Sequence, residues 1–114
     1  MSGNVTYFEL PSSDITATRQ FWGSMFGWTF NDGRIPGYSM IEGPTPMGGS
    51  SHEDASRHPR IFFAVDDIEA AVARVRELGG TASEPVTIPS GAYAHCTDDQ
   101  GVAFSLSEEA GGRG

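Results

Sequence analysis

Three histidines (His52, His58, His95), one cysteine (Cys96) and fifteen acidic residues are the groups in this 114-residue chain best suited to moving protons or holding metals near neutral pH. A lone cysteine excludes an intramolecular disulfide framework and any multi-cysteine zinc site. His52 and His58 stand in a polar stretch where a spacing of six fixes no geometry, so they read as exposed loop residues. His95 alternates with Tyr93 and Thr97 in YAHCT, a strand pattern, and Glu9 alternates with Val5 and Tyr7 in VTYFEL. Glu9 and His95 are candidate general bases, but a single titratable residue defines no reaction. No Ser-His-Asp set and no dinucleotide fingerprint accompany them. The stretch GPTPMGGSS has the glycines of a phosphate loop, yet it opens no helix; it reads as a mobile loop able to act as a lid.

Charge narrows the partners. The seven basic residues are all arginine, and fifteen carboxylates bring the net charge to -8. Such a surface repels phosphate backbones and anionic lipid, and only Arg57 with Arg60 and Arg74 with Arg76 come close in sequence. Neither nucleic acid nor a membrane is an expected partner. MSGNVTYFEL lacks the basic start and apolar core of a secretion signal, and no apolar run is long enough to span a bilayer. The expected location is cytoplasmic.

Two stretches position these groups with one grammar. VTYFELPSSDITATRQFWGSMFGW has an alternating strand, then Asp14, then a helical pattern with Phe21, Trp22, Met25 and Phe26 on one side, stopped by Gly27. RIFFAVDDIEAAVARVRELGG has a strand, then Asp67, then Ile68, Ala71, Val72, Val75 and Leu78 at helical spacing, stopped by Gly79 and Gly80. Asp caps a helix by accepting from first-turn amides, and Gly suits the left-handed residue that closes one. Asp14 to Asp67 and Gly27 to Gly80 share an offset of 53 residues, which suggests a duplicated unit. Each helix precedes room for three short strands: roughly 28–31, 37–41 and 47–52, then 81–89, 93–97 and 102–107. The expected fold class is α+β, βαβββ twice. One domain over 1–114 would hold a first module at about 4–53, a linker at about 54–59, a second module at about 60–108 and a flexible tail at 109–114.

With TIPSGAYAHCTDDQGVAFSLSE as its ending, this order of segments resembles the vicinal oxygen chelate superfamily of glyoxalase I, extradiol dioxygenases and bleomycin-resistance-type binding proteins. Asp99 stands where that family's final turn usually has Pro. The resemblance implies curled mixed sheets around a shared cleft, with the helices outside. Phe8, Leu10, Ile61, Phe63, Val65, Ala94, Cys96, Phe104 and Leu106 would then pack under the helices. Val5, Tyr7, Glu9, Arg60, Phe62, Ala64, Tyr93, His95, Thr97, Ala103, Ser105 and Ser107 would face the cleft.

Metal-using members of that family take ligands from the first and last strands of each module. Carried over, those positions fall on Tyr7, Arg60 and Ser105, with the fourth near Met47–Ser51; His52 or Glu53 would reach it only by a register shift. Arg offers only donors, Ser is a weak ligand and a neutral phenol binds poorly. The expectation is no metal and no cofactor.

The candidate ligand-binding residues are therefore Tyr7, Glu9, Arg60, Phe62, Tyr93, His95 and Ser105. Arg60 suits an anionic group and the rings suit a planar ligand. Pairing of Arg60 with Glu9, a structural hydrogen bond at His95, and core packing of Phe62 and Trp28 compete with those roles, as does gap-filling by Met40 and Met47. Three functions stay open: a metal-free small-molecule binder, a metal-dependent lyase, isomerase or dioxygenase of the glyoxalase type, and a metal-free enzyme or accessory protein using Tyr7, Glu9, Arg60 and His95. A homodimer is implied by resemblance, with Trp22 either at its interface or in the intramolecular core.

Overall fold

Each helix begins at the aspartate that its sequence proposes. In the computed structural model, which describes residues 3–33, 37–51 and 57–110, Asp14 accepts from the Ala17 N–H and Asp67 from the Ala70 N–H, both at 3.2 Å. These caps start α1 (Ile15–Phe26) and α2 (Ile68–Glu77). Gly27 closes α1 at φ 73°, with its N–H on the Gly23 carbonyl. α2 stops two residues earlier relative to its cap: Leu78 is the C-cap and Gly79 takes φ 96°. Gly80 is required for space instead, because a Cβ there would run into the Thr97 carbonyl.

Contacts divide the chain into two units, Tyr7–Arg60 (the first unit) and Ile61 onward with the N-terminal residues through Thr6 (the second). The first unit contains α1, most of β1 (Val5–Pro11), and β2 (Thr29–Asp32), β3 (Tyr38–Glu42) and β4 (Gly48–Ser51). β1 is parallel to β4, β4 antiparallel to β3, and β3 antiparallel to β2. The second unit contains β5 (Arg60–Ala64, from Ile61 on), α2, β6 (Thr81–Ala82), β7 (Val86–Ile88), β8 (Gly91–Thr97) and β9 (Ala103–Glu109). Its pattern is the same: β5 parallel to β9, β9 antiparallel to β8, and β8 antiparallel to β6 and β7. The fold is α+β, with mixed sheets built from βαβββ in the first unit and from the same order with one strand split in two in the second. Among the described residues no helix is long and apolar enough to cross a membrane.

Four expectations change. The single strand at 81–89 is two, β6 and β7, separated where Pro85 brings no N–H to the ladder. GPTPMGGSS is no lid: its last four residues are β4, paired on both sides and mostly buried. β9 runs on to Glu109, which pairs with Gly91, and the Ala110 N–H donates to Ser90, so order reaches into the expected tail. The fourth concerns α1. Its apolar side is not buried: Phe21, Met25 and Phe26 are 63%, 64% and 53% exposed, and no α1 residue is buried. The half-buried stripe is Ile15, Thr18, Arg19, Trp22 and Gly23, at i, i+3, i+4, i+7 and i+8.

Helix α2 packs as its pattern predicts. Ile68, Val72, Ala94, Cys96 and Leu106 form a buried cluster, flanked by Phe63, Val65, Val75 and Phe104. These strand residues are the expected helix-side set, and Cys96 lies inside it as a buried thiol. In the first unit α1 lays Arg19 against β3, where it donates to the buried Ser39 hydroxyl from Nη2 at 2.8 Å and from Nε at 3.3 Å. Trp22 and Trp28 stack with centroids 5.7 Å apart, and Phe8 and Phe26 join Trp28.

Candidate functional site

Alternation along β1 sends Tyr7 and Glu9 to the sheet face away from Leu10, and β3 adds Tyr38 and Met40 to the same face. Tyr38 donates to Glu9 Oε2 at 2.9 Å, and the Tyr7 and Tyr38 hydroxyls lie 2.6 Å apart. A phenol has one proton, and that of Tyr38 goes to Glu9, so Tyr7 donates to Tyr38. Donation runs from Tyr7 through Tyr38 to the carboxylate, with Met40 Sδ 3.8 Å from the Tyr7 oxygen. Burial, followed by the bond to Tyr7 and the charge of Glu9, pushes the Tyr38 phenol far above its usual 10. Burial also raises Tyr7, against the lowering effect of its bond to Tyr38 and with a smaller raising effect from Glu9. Both are neutral phenols near neutral pH.

Gly49 makes this chain possible. It lies on β4 between β1 and β3, opposite Glu9 and Met40, and a Cβ on it would collide with both tyrosine hydroxyls. Its neighbour Gly48 supports the Phe8 ring on the other face in the same manner.

The second unit assembles its own group by the same ladder. Ser105 on β9 lies between Phe62 of β5 and His95 of β8. The Ser105 hydroxyl is fully buried and 2.6 Å from His95 Nδ1. The His95 N–H donates to Ser83 Oγ at 3.0 Å, so ring and backbone are both anchored while the residue is exposed. Tyr93 and Phe62 approach the imidazole with centroids 5.2 Å and 6.2 Å away. A buried serine makes a poor nucleophile; here it orients the imidazole.

Of the residues singled out from sequence, the first unit thus brings together Tyr7 and Glu9, and the second brings together Phe62, Tyr93, His95 and Ser105. Arg60 opens β5 and is half-buried. His58 is exposed, and His52 and Glu53 lie outside the described residues. Sequence reasoning missed Tyr38 and Gly49. Their signal was the alternation of Tyr38 with Met40 and a Gly-Gly pair in a strand, which marks close approach by other groups.

Strand register also locates the fourth of the positions that the resemblance to metal-using members implies. Glu9 pairs with Gly49 as Phe62 pairs with Ser105, and Glu9 and Phe62 are 53 residues apart, like the two capping aspartates. Gly49 is therefore the counterpart of Ser105 and brings no donor atom. Tyr7 is a phenol kept protonated, Arg60 a guanidinium, and Ser105 a hydroxyl engaged with His95. These groups do not suit a divalent cation. Among the described residues no three His, Cys, Asp or Glu side chains converge to hold one.

A family model for the glyoxalase-like domain matches residues 7–107. The anthracycline biosynthesis protein DnrV of Streptomyces peucetius is 32% identical over 93% of this chain, which spans 42% of that relative's length. DauV of Streptomyces sp. strain C5, also named as an anthracycline biosynthesis protein, matches likewise at 32% identity over 93% of the chain and 42% of its own length. Among solved structures, a glyoxalase/bleomycin resistance protein/dioxygenase superfamily member from Vibrio splendidus superposes with a TM-score of 0.67 at 16% identity, covering 94% of this chain and 98% of the other. Methylmalonyl-CoA epimerase from Mycobacterium tuberculosis gives a TM-score of 0.65 at 15% identity, covering 94% and 87%. With the sequence match spanning both units and the fold shared, the chain belongs to the glyoxalase-like domain family.

Proposed function

We propose that this chain is a metal-independent binder of small aromatic molecules, for which each unit by itself offers a sheet face with polar-tipped rings: Tyr7, Tyr38 and Glu9 in the first, and Tyr93 and His95, backed by the buried Phe62, in the second. The observation that carries this reading is the hydrogen-bonded phenol chain over Gly49, in which Tyr7 is held as a protonated donor and Gly49 brings no donor atom. Preset aromatic groups with polar tips give a planar ligand both a stacking surface and hydrogen-bond partners. The names of DnrV and DauV support an aromatic ligand, since an anthracycline is a fused aromatic system. Arg60 supplies a cation for an acidic substituent.

The test combines elemental analysis of the purified protein with titrations of an anthracycline, a naphthol and a benzoate, followed by amide chemical shifts. Saturable shifts at Tyr7, Glu9, Tyr93 and His95 are expected. Loss of one ligand hydrogen bond, about 1 kcal/mol, should weaken binding roughly fivefold in Tyr7→Phe. Stoichiometric zinc, iron, manganese or nickel in the protein, or shifts confined to other surfaces, would overturn the proposal.

A further inference from the structure

The hydrogen bonds above Gly49 can run in one direction only. Glu9 as a carboxylate offers acceptors alone, so the Tyr38 proton is committed to its Oε2 at 2.9 Å. The Tyr7 and Tyr38 oxygens stand 2.6 Å apart, a separation that needs a proton between them, and Tyr7 has to supply it. Met40 Sδ, at 3.8 Å, brings no proton and is the weaker acceptor for the one that Tyr7 carries. Burial, the largest effect on either phenol, keeps both protons in place near neutral pH. With its hydrogen engaged by Tyr38, the Tyr7 oxygen meets any further polar group, from this chain or from a ligand, as an acceptor. The link through Tyr38 to the charge of Glu9 strengthens it in that role, because aligned hydrogen bonds polarise one another. Tyr7, Tyr38 and Glu9 are each half-buried, so the network is within reach of a ligand on that sheet face.

We infer, building on the aromatic-binding reading above, that the first unit selects its ligand by a hydrogen-bond donor: a neutral hydroxyl or an ammonium group that gives its proton to the Tyr7 oxygen. A phenol on its own can donate or accept, and Glu9 removes that choice. Glu9 is thereby a positioning residue, which sets the polarity of Tyr7 through Tyr38. An ether or carbonyl oxygen at Tyr7 would set acceptor against acceptor, and a carboxylate or phenolate would add repulsion from Glu9. An acidic substituent belongs with Arg60, the cation of β5, and not with Tyr7. This selection differs in kind from apolar fit. A site built to hydrogen-bond a ligand hydroxyl rejects the analogue lacking it far more strongly than an apolar pocket rejects an extra methylene.

Titrating the full chain at neutral pH with 2-naphthol, 2-naphthylmethylamine and 2-methoxynaphthalene, with the Tyr7 and Glu9 amide shifts as the readout, tests this. The three share one ring system; the first two bring a donor and the third does not. The naphthol and the amine should bind at least about fivefold more tightly than the ether, the effect of one unmade hydrogen bond. Glu9→Gln gives Tyr38 a partner able to donate as well as accept, and Tyr38→Phe leaves Tyr7 its own proton. Either change releases Tyr7 to donate, so naphthol and ether should bind each variant within about twofold of one another. A purely structural role for Glu9 would instead weaken all three ligands together, and a purely steric bar to the ether would persist in both variants. The unmodified chain carries the preference by itself, so a variant that fails to fold leaves the test standing. Equal affinity for naphthol and ether in the unmodified chain, or a preference that survives in both variants, would overturn the inference and leave aromatic binding intact. No shift at Tyr7 or Glu9 with any of the three would overturn both.

Discussion

The two units share one topology and reverse its polarity. In the second, Val72 of α2 faces Ala94 and Leu106, all buried and apolar. The same positions in the first unit, matched by the 53-residue offset and by strand register, are Arg19, Ser39 and Ser50. Hydrogen bonds hold that layer: Arg19 to Ser39, and the Ser50 hydroxyl to the Leu10 carbonyl at 2.9 Å. Burying a Val or Leu contributes about 1.5–3 kcal/mol, whereas a neutral hydrogen bond contributes about 1 kcal/mol net. Caps, helix-closing glycines and strand alternation thus specify βαβββ twice while tolerating opposite chemistry inside. The first unit's apolar weight moves to the ring layer of Trp22, Phe26 and Trp28, and to the outer face of α1.

The sharpest way to break this comparison is a matched pair of truncations. Leu106→Ala empties part of the α2 core and should cost about 2–5 kcal/mol in urea unfolding. Its counterpart Ser50→Ala removes one hydroxyl and should cost about 1 kcal/mol. Equal losses would show that the layers bear load alike. A second pair reverses the order of damage. Gly49→Ala drives a methyl group into the Tyr7 and Tyr38 hydroxyls and should cost about 1–3 kcal/mol by overpacking. Ser105→Ala, at the equivalent position, removes the bond to His95 and should cost about 1 kcal/mol.

Alkaline titration separates the units by chemistry. Tyr7 and Tyr38 have folded-state pKa values raised above the unfolded 10, so the folded chain keeps protons that the unfolded chain loses. Their contribution is fully present below pH 10 and declines as pH rises beyond it. Phenolate absorbance from these two rings should therefore appear together with unfolding. In Tyr38→Phe the network is cut, and stability should fall by about 1 kcal/mol at neutral pH with a shallower alkaline slope. Phenolate absorbance from Tyr7 and Tyr38 that precedes unfolding would contradict the buried network.

What the sequence made legible follows from which interactions are local. Asp14 and Asp67 cap within three residues, Gly27 and Gly79 close helices by their own backbone freedom, and alternation alone places Phe63, Ala94 and Leu106 on the helix side. Non-local features stayed hidden. The meeting of Tyr38 with Glu9 depends on β3–β4–β1 register, which a slip of one residue would invert. The outward turn of Phe21 and Met25 was illegible for another reason: helical spacing groups them with Trp22 and Phe26 but cannot say which side the sheet takes. Arg19 decides that, by reaching Ser39. The split at Ser83–Pro85 is a local feature, marked in the sequence by the proline that brings no N–H to the ladder.

The smallest effect lies in the turn before β9. The Asp98 carboxylate accepts from the Gln100 N–H at 2.8 Å and the Val102 N–H at 2.9 Å, and these bonds, Val102 first, hold its pKa below the ordinary 3.8 although the group is exposed. The corresponding connection in the first unit, Gly43–Met47, is built on Pro44 and Pro46 and contains no titratable side chain. Acid should consequently loosen one of these two turns and not the other. The sign follows from linkage: with the folded pKa depressed, the stabilisation is present above pH 3.8 and is lost as pH falls through the folded value. Asp98→Asn keeps an acceptor oxygen for both amides and loses the charge, so its turn should persist with no acid step. Carboxyl carbon shifts followed from pH 6 to pH 2 read this directly; an Asp98 midpoint at or above 3.8 would mean the two amide bonds do not form in solution, and the two turns would then differ only in sequence.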